Sequence, residues 1–129
     1  MTSDRQAILN ANQNFYRAFE KKDIVALENV CSQGTEATCI HPGRDVLRGW
    51  NAIRNSWEQI FSATQYLEIE TEVLSVEVSG DLAVVVLVET VLQAGRGRRM
   101  KAKSIATNVF NQMSGRWFLI HHHGSPILS

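Results

Sequence analysis

Three consecutive histidines, His121, His122 and His123, close the last hydrophobic segment of the chain, and a fourth, His41, follows Cys39-Ile40. Imidazole changes charge near neutral pH, so histidines gathered in a pocket suit general acid or base work. Trp117 to His123 reads as a strand, whose side chains alternate between two faces. His121 and His123 are therefore predicted to share a face with Trp117 and Leu119, while Phe118, Ile120 and His122 take the other. A two-residue turn at Ser114-Gly115 would pair Met113 with Arg116, setting Asn108 opposite His121 and Ala106 opposite His123. That face carries Ser104, Ala106, Asn108, His121 and His123. Small residues beside polar ones make it a candidate pocket floor, with Asn108 available to donate to a developing oxyanion. The alternative is that the histidines only hydrogen-bond within the domain and orient a loop.

Other groups invite chemistry less directly. Cys39 and His41 share a face by the same alternation, but neighbours projecting side by side from one strand make a poor nucleophile and base, and a small buried Cys is the commoner arrangement. His-x-His with a third histidine is a zinc-like set of ligands; apart from Asp45 no second carboxylate stands ready to orient them, so no metal and no cofactor is expected. Glu68, Glu70 and Glu72 form a solvated row and Glu89 sits near a strand end, which leaves no carboxylate expected on the pocket face. Arg96, Arg98, Arg99, Lys101 and Lys103 surround a glycine-containing hairpin and read as its solvated tip. No aromatic platform lies among them, and 13 basic residues balance 13 acidic ones, so no nucleic-acid partner is expected. Trp50, Trp57, Phe15 and Tyr16 could wall an apolar ligand; Phe15 and Trp57 also fit buried stripes, and Trp50, just after Gly49, is the stronger pocket candidate.

These residues need elements to hold them. With 129 residues, 44% of them hydrophobic and 20% charged, the chain suits a single domain, 1–129, with one packed core. Ile8, Ala11, Phe15, Ala18 and Phe19 recur at helical spacing from Ser3 to Glu20, with Ser3 or Asp4 as a cap. Asp23 caps a shorter helix through Cys31, and Trp50, Ile53, Trp57, Ile60 and Phe61 mark a third. Between them lie two short extended pieces, Ala37 to His41 and Asp45 to Arg48. Four longer strands follow. In the first, the apolar phase jumps near Val73-Leu74, which predicts a β-bulge and a bend. Leu82 to Leu92 is so apolar that both its faces should be covered. With the face of Ile105, Thr107, Val109, Phe118 and Ile120, it offers more apolar surface than three helices can cover, so a homodimer is expected. Met1 to Asn10 lacks a basic-then-apolar leader, and the longest apolar run, Leu82 to Val88, is too short to cross a bilayer; a soluble cytoplasmic protein without membrane contact is expected.

Helices first and a bent sheet afterwards define an α+β class, with three N-terminal helices packed in the concave face of a strongly bent antiparallel sheet. The segment Cys39 to Trp50 (CIHPGRDVLRGW), the helix end Ser56 to Phe61 (SWEQIF), and Gly115-Arg116-Trp117 with His121 to Pro126 resemble the SnoaL-like branch of the nuclear-transport-factor-2-like superfamily, over almost the whole chain. The resemblance implies a cone with a cavity at its open end and brings the His41 strand near its mouth. Some members pair a carboxylate base with a tyrosine or a second acid, which draws attention to Tyr16 and Asp45. The expected function is binding of a small, partly apolar molecule. Catalysis would be cofactor-independent isomerisation, dehydration or cyclisation, with His121, His123 or His41 moving the proton and Asn108, Trp50, Tyr16, Trp57 and Asp45 shaping the site. The competing reading is a noncatalytic dimerisation or ligand-sensing module.

Overall fold

In a computed structural model describing residues 4–128, the first amphipathic stretch is α1 (Asp4–Glu20). It buries Ile8, Ala11, Phe15, Ala18 and Phe19, and Asn12 and Tyr16 as well. Of its two candidate caps, Ser3 lies outside the described residues. Helix α2 (Ile24–Val30) starts from Asp23, whose carboxylate accepts from the Ala26 backbone N–H at 3.0 Å. A cap of this kind contributes about 1 kcal/mol. The short strands are β1 (Thr38–Ile40) and β2 (Leu47–Arg48), paired antiparallel. Strand β2 is shorter than Asp45 to Arg48 because the Asp45 side chain accepts from Val46 N–H at 2.7 Å and turns the backbone locally. Helix α3 (Trp50–Ala63) buries Trp50, Ile53 and Trp57.

The meander consists of β3 (Tyr66–Ser79), β4 (Leu82–Gly95), β5 (Arg98–Met113) and β6 (Arg116–Pro126), each antiparallel to the next. Strand β1 adds in parallel to β6, giving the order β2-β1-β6-β5-β4-β3. Arg96-Gly97 and Ser114-Gly115 are two-residue turns with positive φ at both residues, the geometry that matches the twist of the strands they join. The expected bulge is present: Val73 pairs with Leu87 and Ser75 with Val86, leaving Leu74 unpaired. The extra residue keeps Val76 and Val78 on the inner face after the row Glu68, Glu70 and Glu72 has pointed outward.

Inside the cone, Ala83, Val85 and Leu87 of β4 meet the helices and are fully buried. Val84, Val86 and Val88 on its outer face are only half-buried, so a single chain does not cover both faces as the sequence suggests. No described helix is long and apolar enough to cross a membrane.

Candidate functional site

Strand β6 begins as alternation predicts, with Trp117 and Leu119 inward and buried. Phe110 then pairs with Leu119 and Val109 with His121, leaving Ile120 as an inserted residue. Beyond this bulge the parity is reversed: His122 stands opposite Asn108, and Gly124 opposite Ala106. His122 is buried, whereas His121 is half-buried and His123 exposed. The expectation that His121 and His123 face the cavity is thus corrected, because a regular strand would carry them inward and the extra residue carries them out. On the outer face, His121 Nδ1 lies 2.6 Å from Thr38 Oγ1, and the His121 and His123 rings are 6.1 Å apart. The zinc-like set is divided as well, with His41 inside. Among the described residues no group of three His, Cys, Asp or Glu lies close enough to hold a metal ion.

Asn108, fully buried under α1, organises the interior. Its amide nitrogen donates to Asn12 Oδ1 at 2.9 Å and to the Tyr16 hydroxyl at 3.1 Å, and its Oδ1 lies 2.6 Å from His122 Nδ1. With both amide protons committed, Oδ1 must accept, so the proton of neutral His122 sits on Nδ1 and Nε2 keeps its lone pair. Burial, then the charges that His41, His121 and His123 can carry, bring the His122 pKa down to about 3. The ring is therefore neutral around pH 7. Phe15 at 5.1 Å and Trp57 at 6.3 Å pack on it.

His41 faces the same interior, as expected. Its Nε2 is 2.8 Å from Ser56 Oγ and 3.8 Å from Cys39 Sγ, and its ring stands edge-on to Trp57 at 4.8 Å. Burial and the neighbouring Arg44 take its pKa down to about 4. Cys39 is pushed up to about 12 by burial and by Glu89, so it is a thiol and not a nucleophile. Cys31 is raised by burial too.

The residue that sequence reasoning missed is Glu89. It lies in the body of β4, only 2% exposed, opposite Ser104 and on the face of Val85 and Leu87. One carboxylate oxygen, Oε2, is buried without a hydrogen-bond partner. Burial raises the Glu89 pKa, and an interaction with the Tyr16 hydroxyl partly offsets the rise. Tyr16 is pushed well above its usual value, first by burial and then by Glu89. The expectation of a pocket face without a carboxylate is corrected. A usable signal existed, since strict alternation from Ala83 through Val85 and Leu87 puts Glu89 inward, and the β4–β5 turn sets it opposite Ser104. Asn12, one turn before Tyr16 on α1, and Ser56, one residue before Trp57, were missed too.

Glu89, His41 and His122 line a cavity of about 570 Å³ at the open end of the cone, with Phe19, Ile60, Val91, Met100 and Ala102 as apolar wall. Tyr16 and Trp57 stand behind this lining, against Asn108 and the histidines. Trp50 does not reach the cavity; it borders a void of about 20 Å³ beside Cys39, room for at most a water. Asp45 is exposed and bonded to its own loop, outside the cavity. Gly124 sits against the carboxylate: a Cβ there would meet Pro42 Cγ at 2.8 Å and Glu89 Oε1 at 3.4 Å. Gly124→Ala is therefore expected to lower stability by about 1–3 kcal/mol through overpacking. Urea denaturation checks this, and a wild-type midpoint would show that the approach has slack.

Residues 8–129 match the family model of the SnoaL-like domain. A candidate dehydratase of the nuclear-transport-factor-2-like family from Streptomyces avermitilis is 30% identical and superposes with a TM-score of 0.90 over 98% of each chain. A ketosteroid isomerase-like protein from Erwinia carotovora atroseptica shares the fold, with a TM-score of 0.87, 18% identity and full coverage of both chains. In sequence, the F-box protein SKIP8 of Arabidopsis thaliana is 25% identical over 123 residues, 95% of this chain and 51% of its own length. The chain thus spans about half the length of that curated relative.

Proposed function

The chain belongs to the SnoaL-like domain family, and from that premise we propose that it is a cofactor-independent proton-transfer enzyme, an isomerase or dehydratase of a small, partly apolar organic molecule. The observation that carries this reading is Glu89: a buried carboxylate with one free oxygen, at a cavity whose size suits a small ligand. A raised pKa makes a carboxylate a stronger base once ionised and a usable acid nearer neutral pH. Glu89 takes a proton from carbon beside a carbonyl. The resulting acid returns it to another carbon in an isomerisation, or to a departing β-hydroxyl that leaves as water in a dehydration. Both routes regenerate the carboxylate. We place the His41 proton on Nδ1, with Nε2 accepting from the Ser56 hydroxyl 2.8 Å away, so that Nδ1–H is available to the carbonyl oxygen as charge develops there. His122 and Asn108 hold Tyr16 in place, and Tyr16 in turn holds Glu89. The histidine contribution thus passes from His121 and His123 to His41 and His122.

The test is incorporation of solvent deuterium into a panel of small ketones and β-hydroxy carbonyl compounds, followed by proton NMR. Exchange at the carbon beside the carbonyl is expected for at least one compound class. A panel in which compounds bind without any exchange would sink the reading.

The carboxylate also bears on the competing module, since a noncatalytic dimerisation domain has no use for a buried charge that costs stability. Dimerisation and catalysis are nonetheless compatible. We propose that two copies pair through the outer sheet face, where Val84 lies beside Val109 and Val88 beside Ile105, all half-buried. Light scattering at micromolar concentration should give a dimer mass and Val86→Lys a monomer mass; a monomeric wild type would remove the proposal.

A further inference from the structure

The hairpin cations, solvated on the sequence reading, do not all point away from the cavity. Arg98 pairs with Gly95 at the start of β5, in phase with Met100, Ala102 and Ser104, the inner face of the sheet. It lines the cavity, as do Arg96 from the turn and Arg44 from the loop after β1. Among the described residues, none of these three makes an ion pair or side-chain hydrogen bond. Among the described residues, Glu89 is the one acidic group on the lining, so a chain without net charge concentrates positive charge at this opening. The field is felt inside: Arg44 helps to hold His41 neutral. Along β5, Arg98 lies six residues from Ser104, the residue opposite Glu89, so this cation stands well apart from the base.

We propose that Arg44 and Arg98 form a clamp at the cavity mouth for the carboxylate of an amphipathic acid, whose apolar middle lies on Phe19, Ile60 and Val91 and whose reacting end reaches Glu89. The inference rests on the proton-transfer reading for its reacting end, and on cavity chemistry alone for the rest. A guanidinium binds a carboxylate through paired hydrogen bonds and keeps its charge at every working pH, so it anchors an anion without entering the proton chemistry. Separation matters, because a carboxylate seated beside Glu89 would be repelled by the ionised base. The substrate class that follows is a keto or hydroxy acid with several carbons between its carboxylate and the reacting carbonyl.

Calorimetric titration of the wild-type protein at low salt, with octanoate and 3-phenylpropanoate against octanamide and 3-phenylpropanamide, separates charge from shape. The acids are expected to bind about tenfold or more tightly than their amides. Arg44→Gln/Arg98→Gln should erase that preference, whereas Lys101→Gln, on the outer face opposite Leu92, should leave it unchanged. Equal affinity for acid and amide, no binding of either, or a preference that survives the double substitution would overturn the clamp. The two readings fail separately: acids that bind tightly while no panel compound exchanges deuterium remove the proton transfer and keep the clamp, and exchange of uncharged ketones with no preference for acids does the reverse.

Discussion

Glu89→Gln is expected to abolish turnover and at the same time to leave the fold at least as stable as the wild type near pH 8. Loss of a general base costs roughly 10²–10⁴ in rate. Glutamine keeps the volume of the side chain and can still accept from Tyr16, so the cavity should hold its shape. The stability effect follows from linkage. The folded-state pKa of Glu89 lies above the ordinary carboxylate value because the charged form is desolvated. Its contribution is thus most favourable below the unfolded pKa and is lost as pH rises through the folded one. Glutamine mimics the protonated form at every pH, so the variant should gain on the wild type between pH 5 and pH 8. Melting curves across that range, set beside an exchange assay, check both halves. A variant that exchanges protons at the wild-type rate would remove Glu89 from the chemistry. A variant that melts well below the wild type at pH 8 would make Glu89 a structural group.

The second large effect is acid unfolding driven by two buried neutral histidines. His122 and His41 have folded pKa values near 3 and 4, against 6.5 when free. For groups depressed in this direction, stability is fully present above the unfolded pKa and is lost as pH falls toward the folded values. At about 1.4 kcal/mol for each pH unit and each group, the pair forfeits on the order of 5 kcal/mol between pH 6.5 and pH 4. That is comparable to the whole stability of a small domain. The protein should therefore unfold in the pH 4–5 region, earlier than its carboxylates alone would dictate. Glu89 opposes the trend by favouring the folded state as it protonates, so the measurement is cleanest in the Glu89→Gln background. There, His122→Asn keeps an N–H where Nδ1 stood and His41→Gln keeps a polar atom where Nε2 stood. The double replacement should move the acid midpoint down by about one pH unit or more. An unmoved midpoint would show that neither ring is held neutral by the fold.

Much of the fold could be read from periodicity. The apolar stripes of α1 and α3, the Asp23 cap, the two-residue turn at Ser114-Gly115 and the bulge at Leu74 all come from contacts between residues near in sequence, or from a hydropathy phase that changes visibly along one strand. Leu74 announced itself because the glutamate row changed phase around it. The bulge at Ile120 did not. Trp117, Leu119, His121 and His123 form one alternating series, and Phe118, Ile120 and His122 form another that is just as plausible, so the sequence of β6 holds no internal mark of the insertion. That choice is made by neighbouring elements. Strand β1 sets Cys39 beside His122, and Asn108 offers an acceptor whose donors already meet Asn12 and Tyr16. A buried amide network of that kind is stable only when each partner is satisfied, and His122 is the residue that completes it. Glu89 stands between these extremes: its parity was legible, but its significance was not, because burial of a carboxylate runs against the usual preference for water. What the sequence determined by itself was the order of elements and the faces of regular segments, which depend on local periodicity. Which histidine enters the cavity, and which carboxylate waits there with a free oxygen, were decided only by tertiary structure, because one inserted residue reverses a strand and only packing against other strands and helices chooses where it goes.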